Sequence, residues 1–192
     1  MVGNIPNFNE YDVLRAFLLV GEPISRQELA SELGVGEGTV RTILDILKKN
    51  KLIFSTRQGH SLTKKGNALL KTIKRFVEIN KKVDIEHYKN FKKAAVLLKG
   101  VDSEVNVGLR DKAIKNGAEA ALIFVYKNGL VLPYAEEFKE DFKELENLFS
   151  FKNGDILIVT FAGSSREAEN SALSLFLFLT PKLNKIFINS VS

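Results

Sequence analysis

Between Asn9 and Val77 the apolar residues recur at helical spacing in four stretches, and the breaks between them carry turn chemistry. Val13, Leu14, Phe17 and Leu18 mark one side of a helix that Asn9 is placed to cap. Ser25 and Glu28 stand at S-x-x-E spacing, which predicts a helix beginning at Arg26 and ending near Leu33. Leu29, Ala30 and Leu33 form its inward face, and Gly34 supplies the permissive backbone of a tight turn. Val35 plugs that turn into the core. Val40, Ile43, Leu44 and Leu47 then fall at i, i+3, i+4 and i+7, so a second helix is expected from about Glu37 to Asn50. Its other face, Gly38, Thr39, Arg41, Thr42 and Asp45, is small or polar near the N-terminus. Next, Leu52-Ile53-Phe54 is a short β-prone run, Arg57-Gln58-Gly59 a turn, and His60-Ser61-Leu62 a returning strand. Thr63 is placed to cap a further helix with Leu69, Leu70, Ile73, Phe76 and Val77 inward.

Two helices joined by a glycine turn and followed by a two-stranded hairpin form a helix-turn-helix with a β-wing, over residues 25–63. Over residues 9–80 the chain resembles the winged-helix transcriptional regulators. LGVGEGTVRTILDILKKNKLI is similar to their turn, recognition helix and first wing strand, and SLTKKGNALL to their passage from wing to fourth helix. The resemblance implies that Gly38, Thr39, Arg41 and Thr42 face a DNA major groove and Arg57 the minor groove or backbone. Arg41 and Thr42 are expected at base edges, and Thr39, Lys48, Lys49, Arg57 and Lys64 at phosphates, with His60 near the wing tip. Glu37 departs from the pattern, because a carboxylate at the start of the recognition helix suits the helix dipole and repels phosphate.

Charge placement agrees with this reading. Residues 1–83 hold 14 Lys and Arg against 8 Asp and Glu, whereas residues 84–192 hold 14 against 15, so the whole-chain net of +5 belongs to the first part. Between Arg41 and Lys82 there are 12 basic residues and only two acids, Asp45 and Glu78. Such a field attracts a polyanion in a salt-dependent way.

Beyond residue 84 the pattern changes to strands alternating with helices. Ala94–Lys99, Ala120–Tyr126 and Asp155–Phe161 read as strands, Leu109–Lys115, about Ala135–Leu148 and Ser165–Leu179 as helices, and Lys185–Val191 as a closing strand. Asn128-Gly129 marks a tight hairpin returning through Leu130-Val131-Leu132. The fold class expected is therefore α+β: a winged helix-turn-helix over residues 1–83, then a small mixed-sheet α/β sandwich over residues 84–192, serving effector binding or dimerisation. The segment NVGLRDKAIKNGAEAALIFVYKNGLVLP also resembles an archaeal family of winged-helix regulators that carry a C-terminal domain of unknown function.

Two glycine-containing turns of this part lead from a strand into a helix with an Arg in its first turn. Arg110 with Asp111, and Ser164 and Ser165 with Arg166, are the candidate residues for a small anionic effector at helix N-termini. Ser164 and Glu167 also read as a capping box, and Arg110 with Asp111 as a surface ion pair, which explain the same residues without a ligand.

Catalysis finds little to work with. Cysteine is absent, and the two histidines, His60 and His87, fall on the predicted wing and in the linker. No Walker loop, dinucleotide glycine motif or H-E-x-x-H spacing occurs. The acids Glu136, Glu137, Glu140, Asp141, Glu144 and Glu146 read as one solvated helix face. The N-terminus lacks a signal-peptide pattern, and no apolar run approaches the ~20 residues of a membrane span. The expectation is a cytoplasmic, homodimeric regulator without catalytic activity, cofactor or metal, whose partner is double-stranded DNA. The alternative is a winged helix that docks a protein or binds RNA.

Overall fold

The computed structural model describes residues 7–80, 83, 85, 88–135 and 142–188. The secondary structure is α+β. The chain divides into two compact units, one holding the residues up to Ile73 together with those from Lys182, the other Lys74–Pro181. The division thus falls inside the fourth helix rather than near residue 83, and the C-terminal residues go with the first unit.

In the first unit, α1 (Glu10–Leu19) starts at Asn9, whose side chain accepts the N–H groups of Tyr11 and Asp12 at 3.1 Å. The Asp12 carboxylate accepts the Asn9 N–H in return, a reciprocal cap. The helix α2 (Arg26–Leu33) begins in the Ser25/Glu28 box and ends on Gly34 with φ 68°, a left-handed cap that glycine adopts without strain. From Glu37 to Lys49, α3 buries Val40, Ile43, Leu44 and Leu47, the stripe set by the sequence. The strands β1 (Ile53–Thr56) and β2 (Gly59–Leu62) pair antiparallel, with only Arg57 and Gln58 between them. Ile24 pairs with His60 against the second strand, the His60 N–H donating to the Ile24 carbonyl at 2.9 Å. Gly59 is required there twice over: its φ is +125°, and a Cβ would collide with that same carbonyl. Thr63 opens α4 (Lys64–Phe76), accepting the Gly66 N–H at 3.0 Å while its hydroxyl donates to the Lys51 carbonyl at 2.7 Å.

Helix α4 stops one residue short of the expected inward Val77. Val77, Glu78, Ile79 and Asn80 alternate apolar and polar, and they form β3 (Val77–Asn80), paired antiparallel with β4 (Lys92–Leu98). A ladder partner outweighs continuation of the helical period, because the two β-branched residues suit a pleated surface.

The second unit continues with α5 (Val107–Lys115), β5 (Ala120–Tyr126), β6 (Leu130–Val131), α6 (Lys143–Glu146), β7 (Ile156–Ala162) and α7 (Ser165–Leu179). Its sheet has the order β3-β4-β7-β5-β6, and every neighbouring pair is antiparallel. The expected mixed sheet is therefore corrected. Strands β4 and β5 do run parallel, joined through α5, but β7 inserts between them in the opposite sense. This split crossover leaves no parallel neighbours.

Both sheet faces are covered, which explains the unbroken apolar strands. Ala95, Leu97, Phe124, Leu157, Val159 and Phe161 face a layer containing Val83, Ile85, Leu132 and Leu145. The alternate residues Ala94 and Ala162 pack on Ala168 of α7. Of the expected helix from Ala135 to Leu148, residues 136–141 lie outside the described residues, with them Glu136, Glu137, Glu140 and Asp141; α6 is its described part.

The expected closing strand is a helix, α8 (Pro181–Ile188), in its described portion. Proline pre-sets φ at a first helical position, and Leu183 and Phe187 lie four apart on one face, both buried. The Phe187 ring meets Phe17 of α1 with centroids 5.8 Å apart, so α8 contributes to the first unit's core. A short apolar run has no period long enough to distinguish strand from helix, and the packing partner decides. No described helix is long and apolar enough to cross a membrane.

The aromatic contact is testable by denaturant unfolding. Phe17→Ala and Phe187→Ala should each destabilise by about 3–5 kcal/mol. A double-mutant cycle should show coupling of roughly 0.5–1.5 kcal/mol, and strict additivity would show that the two rings do not meet.

Candidate nucleic-acid interface

The placement of α3 starts from a charge in the core. Asp12 and Arg15, on α1, have side chains 0% and 2% exposed, and their charged groups lie 3.7 Å apart. Arg15 Nη1 donates to the Leu33 carbonyl at 3.1 Å and Nη2 to the Glu32 carbonyl at 3.2 Å. Those carbonyls close α2, where the last turn has no intrahelical donors and a cation suits the dipole. One guanidinium thereby ties α1 to the end of α2, the point from which the turn into α3 departs. The sequence held one signal of this, an Arg flanked by the apolar positions Leu14 and Ala16, and spacing alone could not supply its partner.

On the outer side of α3, Gly38, Arg41, Thr42, Asp45 and Lys49 are exposed, and Thr39 and Lys48 partly so. The Thr42 hydroxyl donates to the Gly38 carbonyl at 3.3 Å, and Lys48 lies 3.9 Å from Asp45. Arg41 has no hydrogen-bond or ion-pair partner among the described residues, so its guanidinium is available to a ligand. A Cβ on Gly36 or Gly38 would meet nothing within 4 Å. Neither glycine is needed to relieve crowding within the chain, in contrast to Gly59.

The hairpin tip is closed by Thr56, whose hydroxyl donates to the Gly59 carbonyl at 3.0 Å and accepts the Gln58 N–H at 3.2 Å. Arg57 is left exposed at that tip, and Lys64 is exposed at the first position of α4. His60 sits differently from Arg57. It pairs with Ser55 below the tip, and its ring is partly buried within the fields of Lys48, Arg26 and Asp45. Burial first, then the positive charges of Lys48 and Arg26, push its pKa below the ordinary 6.5.

Two residues of this surface carry more than spacing indicated. Arg26, at the start of α2, grips Glu37, at the start of α3, with Nε 2.9 Å and Nη2 2.8 Å from the same carboxylate oxygen. The acid that departs from the regulator pattern is thus electrically balanced by its neighbour.

The two places singled out for an anion in the second unit do not converge. Gly117, just past the end of α5, lies against Glu167 at the start of α7, whereas the Lys112 ammonium sits 4.0 Å over the Phe178 ring near the end of α7. The helices are antiparallel, so Arg110 and Asp111 are at one end of the pair and Ser164, Ser165 and Arg166 at the other. Ser164 is occupied as a cap, accepting the Glu167 N–H at 3.2 Å and donating to the Glu167 carboxylate at 2.8 Å. Burial holds the Tyr134 hydroxyl above its ordinary pKa, while the Ile123 N–H and then the Arg110 charge pull the other way. That hydroxyl accepts the Ile123 N–H at 3.0 Å, along the side of β5 where the short β6 pairs.

Residues 10–68 match the family described as PH0730-like, N-terminal domain, and residues 89–180 match a domain of unknown function (DUF4443). Among solved structures, the chain is similar to the hypothetical protein PH0730 from Pyrococcus horikoshii OT3, with 28% identity and a TM-score of 0.78 over 94% of this chain and 100% of that one. The likeness is therefore to an archaeal protein over nearly the full length, and neither family description states an activity. No curated protein matches the chain.

Two outcomes follow from this surface. Gly38→Ala should raise stability by up to about 1 kcal/mol, since alanine is the better helix former and nothing obstructs its methyl group; a loss in thermal unfolding would show a hidden clash. The His60 ring should titrate below 6.5 by NMR, and Lys48→Met should raise its pKa. Because the folded value is the lower one, this contribution to stability is full above pH 6.5 and is lost as the pH falls through the folded pKa. A titration at or above 6.5 would contradict the burial of the ring.

Proposed function

We propose that the chain is a sequence-specific regulator of transcription that binds double-stranded DNA through the first unit, acting as a winged helix-turn-helix. In this reading α3 is the recognition helix, lying in the major groove with Arg41 and Thr42 at base edges and Gly38 and Thr39 at the point of closest approach. The β1–β2 hairpin is a short wing that brings Arg57 to the backbone, and Lys48, Lys49 and Lys64 add phosphate contacts. His60 supports the wing rather than reading DNA, since its ring is partly buried and its backbone is paired with Ile24.

The observation that carries the proposal is the outer face of α3. A guanidinium without a partner among the described residues stands beside glycine and threonine, on a helix whose opposite face is fully committed to the core. The charge asymmetry supports it, since the basic excess lies between Arg41 and Lys82. One such unit covers little DNA, so we further propose a homodimer acting on paired half-sites, with the second unit providing dimerisation, response to a small anionic effector, or both. A ligand there would act by favouring one arrangement of the two recognition helices over another.

A second reading, in which the hairpin docks a protein or stacks on RNA, is favoured by one observation: Phe54, on β1, is 48% exposed.

Selection from a random duplex pool at ~0.2 M salt, where non-specific attachment is weakened, separates the two. The proposal expects an enriched motif with half-sites about one helical turn apart. Arg41→Ala should cost about 1–3 kcal/mol and relax the motif at defined positions. No enrichment from duplex DNA, with retention of structured RNA or a protein instead, would overturn it.

A further inference from the structure

We propose that Glu37 reads a base pair: its carboxylate, held by Arg26, accepts the amino group of a cytosine at the floor of the major groove. The inference rests on the proposed duplex reading and adds a specificity-determining residue to it.

The geometry of the Arg26–Glu37 pair is one-sided. Both guanidinium donors go to Oε2, at 2.9 Å and 2.8 Å, and Oε1 has no partner among the described residues. A pair that served only to clasp two helices would gain most from the parallel fork, one N–H to each oxygen. Here the second oxygen is left as an acceptor, on a side chain that is 52% exposed. Glu37 is also the first residue of α3, the part of a recognition helix that reaches deepest toward base edges. Gly36 and Gly38 flank it with open space above both, so a groove floor can approach the backbone on either side of the carboxylate.

Electrostatics and entropy favour the same role. A lone carboxylate would be repelled by phosphates, whereas Arg26 cancels that charge locally and lets the remaining lone pairs be used. The two bonds from Arg26 restrict the Glu37 rotamer before DNA arrives, so less freedom is lost on binding. Among the bases, cytosine presents a lone amino donor in the major groove, which is the group an acidic side chain accepts. As an exposed ion pair alone, the contact would add little to stability.

Duplex selection with the full chain, its Glu37→Ala, Glu37→Gln and Arg26→Ala variants tests the assignment, with thermal unfolding of each as the control. The wild-type motif should contain a C·G pair at which Glu37→Ala loses discrimination by about tenfold, the other positions being retained. Glu37→Gln should shift that position toward adenine, whose N6 and N7 glutamine pairs with. Arg26→Ala should weaken the same position only. Identical motifs from all four proteins would overturn the assignment, leaving a clasp, while the duplex reading stands. A wild-type chain that selects no motif would overturn both.

Discussion

Burial of the Arg15 charge is the constraint on which the first unit depends. A guanidinium in a protein core is tolerable only when its donors are met, and here Asp12 balances its charge while the Glu32 and Leu33 carbonyls accept its N–H groups. Those carbonyls belong to the last turn of α2, so two of the guanidinium's hydrogen bonds depend on α2 ending where it does. Gly34 then turns the chain in the left-handed region, and α3 begins three residues later. The direction in which α3 presents Glu37, Arg41 and Thr42 is thereby tied to an interaction on its far side. Asp12 has a double role, because the same carboxylate that balances Arg15 also accepts the Asn9 N–H in the cap of α1.

This arrangement explains how a helix rich in small residues at its exposed start keeps a defined position. Gly38 lowers the intrinsic stability of that end, and neither it nor the N-cap Gly36 relieves crowding. What compensates is tertiary: the Val40, Ile43, Leu44 and Leu47 stripe and the buried Arg15. Local weakness at a surface supported from behind fits a place where another molecule approaches closely. The chain leaves the first unit within α4 and rejoins it at Lys182, so two covalent joints connect the units.

Much of the first unit was legible because its signals are local. The Ser25/Glu28 and Asn9 caps, the α3 stripe and the Arg57-Gln58 turn each involve residues within a few positions of one another. The ends of α2, β5 and α7 follow from such signals as well, the last two coinciding with their expected bounds. What escaped was non-local. Val77 left the helix for a ladder with Leu98, and β7 separated β4 from β5 although nothing in its own residues announces an antiparallel insertion. The run from Lys185 became helical because Phe17, far upstream, receives Phe187. The candidate DNA-reading residues on α3 share a face as spacing implied, whereas the partial burial of the His60 ring and the opposite ends at which the two candidate anion places lie depend on packing that spacing does not carry.

The most direct measurement of the central claim is a residue-by-residue map of the contact. A duplex carrying the preferred site would be titrated into isotopically labelled protein at ~0.2 M salt, with the backbone amides followed by NMR. The account predicts that the largest shifts gather at Gly36–Asp45 and at Thr56–Gln58, with the buried face of α3 and the sheet of the second unit little changed. Saturable binding whose shifts avoid α3 would contradict it, whatever the affinity.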